Sequence, residues 1–184
     1  MDQDKIIELL EKVKQGTVET EEALEQLRTL PFHDLGFAKV DHHRALRTGH
    51  PEVVFCQGKT DEQVEKIYQS LADQHADILL TRAEASLYER LFKIDDRLRY
   101  NALARTILLE TSERPKTGKV LIISAGTADL PVAEEAAETA QLSGAYVERI
   151  YDAGVAGIHR LLAHCETILS ARCIVAVAGM EGAL

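Results

Sequence analysis

Three cysteines, Cys56, Cys165 and Cys173, are an odd number without clustered spacing. That excludes a disulfide framework as the organising device and fits a reducing, cytoplasmic setting. Long hydrophobic runs are missing as well. Stretches such as Val120-Leu121-Ile122-Ile123 are far too short to span a bilayer, so no membrane partner is expected. The start, Met1-Asp2-Gln3-Asp4-Lys5, has no basic region leading into an apolar one, which argues against a secretion signal. Positive charge is scarce: 21 Lys and Arg face 30 Asp and Glu, for a net charge of −9. Phosphate backbones would be repelled, so nucleic acid is not the expected partner.

What is present describes a globular chain of 184 residues, 46% hydrophobic and 28% charged, long enough for one good core or for a small domain joined to a larger one. The charge is unevenly spread. Residues 1–35 carry four basic and nine acidic side chains, whereas residues 36–60 carry Lys39, Arg44, Arg47 and Lys59 against Asp41 and Glu52. The stretch "DHHRALRTGHPEVVFCQGKT" (41–60) is a basic island, and a local reversal of sign points to an anionic ligand.

Periodicity divides the chain into three regions. In residues 1–35, Ile6, Leu9, Leu10 and Val13 share a helical face, Gly16 ends that run, and Thr20 opens a second helix that Pro31 stops. This hairpin has a thin apolar stripe and needs another surface to pack on. Residues 36–113 predict short strands at 37–40, 53–56, 76–81 and 104–109, with helices between them. One helix is capped by Thr60 with Gln63 completing a capping box and Val64, Ile67 and Leu71 as its buried stripe; another lies near 84–92. Residues 112–118, with Pro115 and Gly118, read as a linker. Residues 119–184 predict strands at 119–124, 145–151 and 173–178, with helices at about 131–142 and 154–169. The second helix shows Val155, Ile158, Leu162, Cys165 and Leu169 at helical spacing. Nearly all-apolar strands alternating with helices imply an α/β fold, a doubly wound, Rossmann-like parallel sheet preceded by a smaller α+β region. Ending after its third strand, that sheet is expected to be incomplete at the C-terminus: a fragment, or a domain finished by another subunit.

Ligands of open parallel sheets sit at the carboxyl ends of the strands. Three loops fall there: Ser124-Ala125-Gly126-Thr127-Ala128-Asp129, Asp152-Ala153-Gly154-Val155-Ala156-Gly157 followed by His159 and Arg160, and Ala178-Gly179-Met180-Glu181-Gly182. The first is a small-residue turn into a helix, suited to an oxyanion. Asp129 and Glu181 are two carboxylates at one edge, the arrangement acid/base chemistry needs. Gln57-Gly58-Lys59-Thr60 resembles the end of a P-loop, but the glycine required five residues earlier is Val53. Lys59 still opens a capped helix, and Arg44 and Arg47 suit phosphate or carboxylate binding. His42 with His43, and His159 with His164, lack metal-ligand spacing, and the three cysteines read as packed thiols.

Gly126-Thr127-Ala128-Asp129 and Ala178 to Leu184 resemble the nucleotide loops of the aminoimidazole ribonucleotide carboxylases. Joined to the Asp41–Thr60 arrangement, to "IISAGTADLPVAEEAAETA" and to "YDAGVAGIHRLL", they resemble the LarB family from about residue 36 onward. The resemblance implies an aminoimidazole ribonucleotide carboxylase-like fold. It implies carboxylation of the pyridinium ring of nicotinic acid adenine dinucleotide at C5 and hydrolysis of its pyrophosphate. The products would be pyridinium-3,5-biscarboxylic acid mononucleotide and AMP, in nickel-pincer cofactor biosynthesis. It implies Glu181 and Asp129 as catalytic residues. The implied substrate-binding residues are Asp41, Arg44, Arg47, Glu52, Lys59, Ser124, Gly126, Thr127, Arg160 and Gly179. The partners are then the dinucleotide and CO2 or bicarbonate, in a homo-oligomer and, by the relatives' habit, an octamer. Mg²⁺ is the ion expected at the hydrolytic step, without a dedicated cage, and no prosthetic group is expected. The histidine that the purine enzymes carry in the last loop falls on Ala183 here. The family's thiolate-bearing cysteine would lie beyond Leu184, so residues 1–184 alone are expected to be inactive. The alternatives are a purine-pathway carboxylase and a non-catalytic nucleotide binder.

Overall fold

The computed structural model describes residues 3–28, 32–42, 44, 48–50, 52–73, 77–111, 115–179 and 182–184, with the side chains of 3–5 and 28 excepted. Pro31, His43, Arg47, Glu181 and linker residues 112–114 lie outside them. Helices α1 (Gln3–Lys14) and α2 (Thr20–Arg28) form the expected hairpin. Gly16, at φ 70°, turns the chain out of α1 in the left-handed conformation that only glycine adopts freely. Leu9 and Ala23 are buried, while Ile7, Leu10 and Leu24 stay exposed. A two-residue antiparallel pair follows, β1 (His33–Asp34) with β2 (Lys39–Val40), joined by a turn over residues 35–38.

The first main sheet has the order β3-β4-β6-β5: β3 (Glu52–Phe55), β4 (Ile78–Thr81), β5 (Arg99–Asn101) and β6 (Thr106–Leu109). β3 and β4 are parallel and joined by helix α3 (Asp61–Ala72), whereas β6 runs antiparallel to both β4 and β5. The predicted capping box starts α3: Gln63 N donates to Thr60 Oγ1 (3.3 Å), and Thr60 N donates to Gln63 Oε1 (3.0 Å). Val64, Ile67 and Leu71 are buried as their spacing requires. Together with α4 (Ala85–Phe92), α3 covers Ile78, Leu80, Ile107 and Leu109 on one face of the sheet. The mixed sheet with its β5–β6 hairpin was not foreseen. β5 is three residues long, polar, and paired on one side alone, so it carries no apolar alternation.

The second sheet is parallel, in the order β8-β7-β9: β7 (Lys119–Ser124), β8 (Tyr146–Ile150) and β9 (Cys173–Val177). Helix α5 (Leu130–Leu142) covers one face, with Ala133 and Ala137 fully buried against Ile122. The same helix turns Leu142 to Leu79 and Leu108 of the first sheet. α5 is therefore a layer shared by the two sheets, and alanine lets it approach β7 closely. Two polar ties fasten it to the first sheet: Arg82 Nε to Glu135 Oε2 (2.5 Å) and Asn101 Nδ2 to Glu138 Oε1 (3.1 Å). The mixed α/β class, with a parallel sheet, is thus observed.

The expected helix at 154–169 is broken into a 3₁₀ turn (Val155–Gly157), α6 (Ile158–Leu162) and α7 (Cys165–Ser170). The stripe of Val155, Ile158, Leu162 and Leu169 faces outward instead, with Leu169 85% exposed. Leu161 and Ile168 pack against Leu121, Ile123 and Ile150 in its place. The segment is apolar on two faces, and spacing alone could not say which one docks. Cys165 and Cys173 are exposed, so only Cys56 is the packed thiol that was read for all three.

A polar knot closes the first core. The Tyr68 hydroxyl donates to Asp95 Oδ2 (2.6 Å), and Arg97 donates to both Asp95 oxygens (2.9 and 2.7 Å). The Arg97 bonds hold the Asp95 carboxyl well below its usual range, and burial pushes Tyr68 up. A carboxyl lowered on folding contributes stability that is fully present above about pH 4 and fades as the pH falls toward the folded value. Asp95→Asn is expected to cost about 1–3 kcal/mol in urea denaturation at pH 7. The gap should narrow at about pH 3, where Asp95 of the unfolded chain takes up a proton while the folded carboxylate stays ionised. A gap that stays the same at both pH values would contradict this account.

Candidate active site

The carboxyl ends of β7, β8 and β9 are stitched together through backbone bonds. Ala125 N donates to Val177 O (2.9 Å), Ala153 N to Ser124 O (2.9 Å), Gly154 N to Ala125 O (2.9 Å) and Val155 N to Ala183 O (3.3 Å). The three small-residue loops read from the sequence therefore meet in one place. Ser124 is fully buried and its Oγ accepts from Asp152 N (3.4 Å), so it braces the loops from beneath. Gly126 N donates to Asp129 Oδ2 (2.9 Å), which orients the carboxylate at the head of α5. A Cβ at Gly179 would stand 3.7 Å from Asp129 Oδ1, so that oxygen lies beside the β9 loop, within van der Waals reach of that position. Thr127 is exposed in the 3₁₀ turn that carries Asp129.

Arg160 is not free in this crevice, because its guanidinium is ion-paired with Asp152 and lies against Gly157. Asp152 itself takes a left-handed φ of 57°, which aspartate tolerates better than most residues.

The basic island divides. Arg44 Nε lies 3.8 Å from Glu52 Oε2 and lines a cavity of about 200 Å³ with Thr139, Leu142 and Ser143, at the far end of α5 from Asp129. That helix spans roughly 18 Å at 1.5 Å per residue, so Arg44 and Asp129 cannot hold the same small group within one chain. Asp41 is half-buried just beyond β2. Lys59 lies elsewhere, in a cleft of about 210 Å³ that also contains Cys56, Arg82, Glu84 and Arg105. Leu79 packs near Leu142 while Arg82 reaches Glu135, so β4 runs antiparallel to α5. α5 in turn links two parallel strands and runs antiparallel to β7, so the carboxyl ends of β4 and β7 face the same side. Lys59 and Asp129 share that side. Neither Arg82 nor Arg105 was singled out from the sequence; each is a lone arginine at a strand end, without a motif.

Burial pushes the Cys56 thiol up to about 11 and outweighs the pull of Lys59. His42 is buried, lowered by that burial, and within 3.3 Å of Ser70 Oγ; His33 bonds the same hydroxyl at 2.9 Å. His159 and His164 are exposed. Among the described residues no group of three or more His, Cys, Asp or Glu side chains could hold a metal ion, and no helix is long and apolar enough to cross a membrane.

A parallel sheet whose small-residue loops converge on an oriented carboxylate at its carboxyl edge defines an α/β scaffold with a candidate site at the edge where such sheets bind ligands. The family described as LarB/PurE-like N-terminal domain matches residues 32–112. An uncharacterized protein of Methanocaldococcus jannaschii, MJ0165, is 34% identical over 96% of this chain and 73% of its own length. The chain belongs to the LarB family, which is related to the PurE-like carboxylases. Its function is accordingly of the carboxylase-related kind.

Proposed function

We propose that the protein carboxylates C5 of the pyridinium ring of nicotinic acid adenine dinucleotide and hydrolyses the phosphoanhydride, giving pyridinium-3,5-biscarboxylic acid mononucleotide and AMP. The observation that carries this reading is the three-loop crevice with Asp129 oriented by Gly126 N. A pyridinium ring is electron-poor, so its C5 attacks CO2 only after a thiolate adds at C4 and makes an enamine. A base then removes the C5 proton as sulfur departs and aromaticity returns. In this reading Glu181 is that base and Asp129 shares the proton handling or positions the nucleotide. Gly126, Thr127 and Gly179 offer backbone close to the ring. The thiolate is none of the three cysteines in hand: Cys56 is held as a buried thiol, Cys173 begins β9 at the opposite end from the crevice, and Cys165 lies on the exposed side of α7. It is assigned to a cysteine outside residues 1–184. Mg²⁺ remains the ion proposed for the hydrolysis, and no step here is routed through it.

The test incubates the protein, in the longest natural form of its chain, with the dinucleotide and ¹³C-bicarbonate, and reads products by mass spectrometry. Labelled biscarboxylated mononucleotide and AMP in equal amounts are expected. Glu181→Gln should lower product formation by about 10²–10⁴-fold, the range for a positioned base, while the dinucleotide still binds. Folded protein that yields neither product, or that carboxylates aminoimidazole ribonucleotide instead, overturns the reading.

A further inference from the structure

We propose that the cleft walled by Lys59, Arg82 and Arg105 is a phosphate-binding site of this chain. Its assignment to the diphosphate of the dinucleotide, with the pyridinium end reaching the Asp129 crevice, rests on the function proposed above; the binding of phosphate does not. The three cations come from different elements but reach one edge. Lys59 follows Gly58 at the exit of β3, Arg82 follows the last residue of β4, and Arg105 precedes the first residue of β6. The backbone joins the last two, with Ala83 N donating to Arg105 O at 2.8 Å.

Two observations separate this edge from an ordinary charged surface. First, Arg82 and Arg105 both hold left-handed backbones, φ 56° and 55°, which arginine adopts at a cost and which persist where surrounding structure over-determines them, often at ligand sites. Second, the charges of Arg105 and Lys59 are held by partners a ligand can replace, while Arg82 stays paired with Glu135. Arg105 is paired with Glu84, whose side chain is 70% exposed, and Arg105 Nε is buried without a hydrogen-bond partner among the described residues. Half of the guanidinium fork is thus unused, and a phosphate would engage both halves. Lys59 Nζ donates to the Phe55 carbonyl (2.6 Å), a neutral acceptor that leaves its charge unmatched by that bond. The capped start of α3, a helix of twelve residues, adds backbone N–H groups at the same edge. The location suits a long substrate. Arg82 is anchored to Glu135, six residues along α5 from Asp129 and so roughly 9 Å away along the helix axis.

Isothermal titration with inorganic pyrophosphate, AMP and adenosine tests the site on the full chain. Pyrophosphate and AMP are expected to saturate one site, and adenosine to bind far more weakly. Lys59→Gln and Arg105→Asn should each weaken pyrophosphate by at least about tenfold, the scale of one charge-assisted contact. Asparagine accepts the left-handed backbone, so Arg105→Asn should melt at or above the wild-type temperature. That combination of lost binding and retained stability is one a purely structural ion pair would not give. Pyrophosphate binding that is absent from the wild type, or unchanged in both variants, overturns the site even if carboxylation is found. Binding that needs these residues in a protein that carboxylates nothing keeps the site and rejects the reaction.

Discussion

Asp129→Asn is expected to leave the protein folded and to lower turnover in the ¹³C-bicarbonate assay by about 10²–10⁴-fold, as removal of a positioned acid or base does. The substitution keeps the shape of the site. An asparagine carbonyl can still accept from Gly126 N, the bond that now fixes Asp129 Oδ2 at 2.9 Å, so the turn into α5 should survive. What disappears is the charge and the proton affinity of Oδ1, the oxygen directed at the Gly179 loop. The loss should fall on kcat rather than on KM, because that oxygen has its natural target in the ring as its proton leaves, not in the resting nucleotide. A rise in KM with kcat preserved would make Asp129 a positioning residue and leave Glu181 to do the proton transfer alone. Turnover close to wild type would remove Asp129 from the mechanism altogether. Thermal melts of the same variant separate these outcomes from simple unfolding.

Much of this scaffold could be read in advance, and the pattern of what could not is physical. β7 was read to the residue because Lys119–Ser124 is apolar, bounded by Gly118 and followed by a small-residue turn. The start of α3 was equally plain, since Thr60 and Gln63 satisfy each other's backbone regardless of what packs above them. Local chemistry was enough in both cases. β5 escaped because Arg99-Tyr100-Asn101 is defined by its partner β6 and not by any pattern of its own. The outward face of α6 and α7 was misjudged because two apolar stripes compete there and only the sheet selects between them. The site divides in the same way. Gly126, Asp129 and Gly179 lie in loops whose position follows from strand order alone. Arg44 looked like their neighbour on charge grounds. Its distance from them depends on the antiparallel packing of α5 on β4, which no spacing encodes. Arg82 and Arg105 carry their message in backbone φ, a property that side-chain identity does not reveal.

Gly154→Ala should be the most damaging single methyl group in the molecule, and Gly157→Ala three residues later should be nearly silent. Gly154 does not owe its identity to backbone freedom, since its φ of −61° suits any residue. It owes it to space. A Cβ there would stand 2.9 Å from Ala125 O and 3.3 Å from Ala183 O. Both obstacles are backbone carbonyls within the bonds that stitch the β7, β8 and β9 loops together, so neither can rotate aside. Relief requires the loops to part, which breaks the Gly154–Ala125 and Val155–Ala183 bonds and opens the crevice around Asp129. The expected cost is about 2–3 kcal/mol, or roughly 5–10 °C in melting temperature for a chain of this size, with turnover lost along with it. At Gly157 the nominal clash is closer, 2.7 Å, but it is with the Nε of Arg160, the far end of a flexible side chain. Arg160 can swing away at the expense of one exposed ion pair with Asp152, worth at most about 1 kcal/mol. Calorimetric melts of the two variants side by side decide the matter. If Gly157→Ala proves as costly as Gly154→Ala, the loops are held by side-chain packing around Arg160 rather than by the carbonyl contacts of residues 125 and 183.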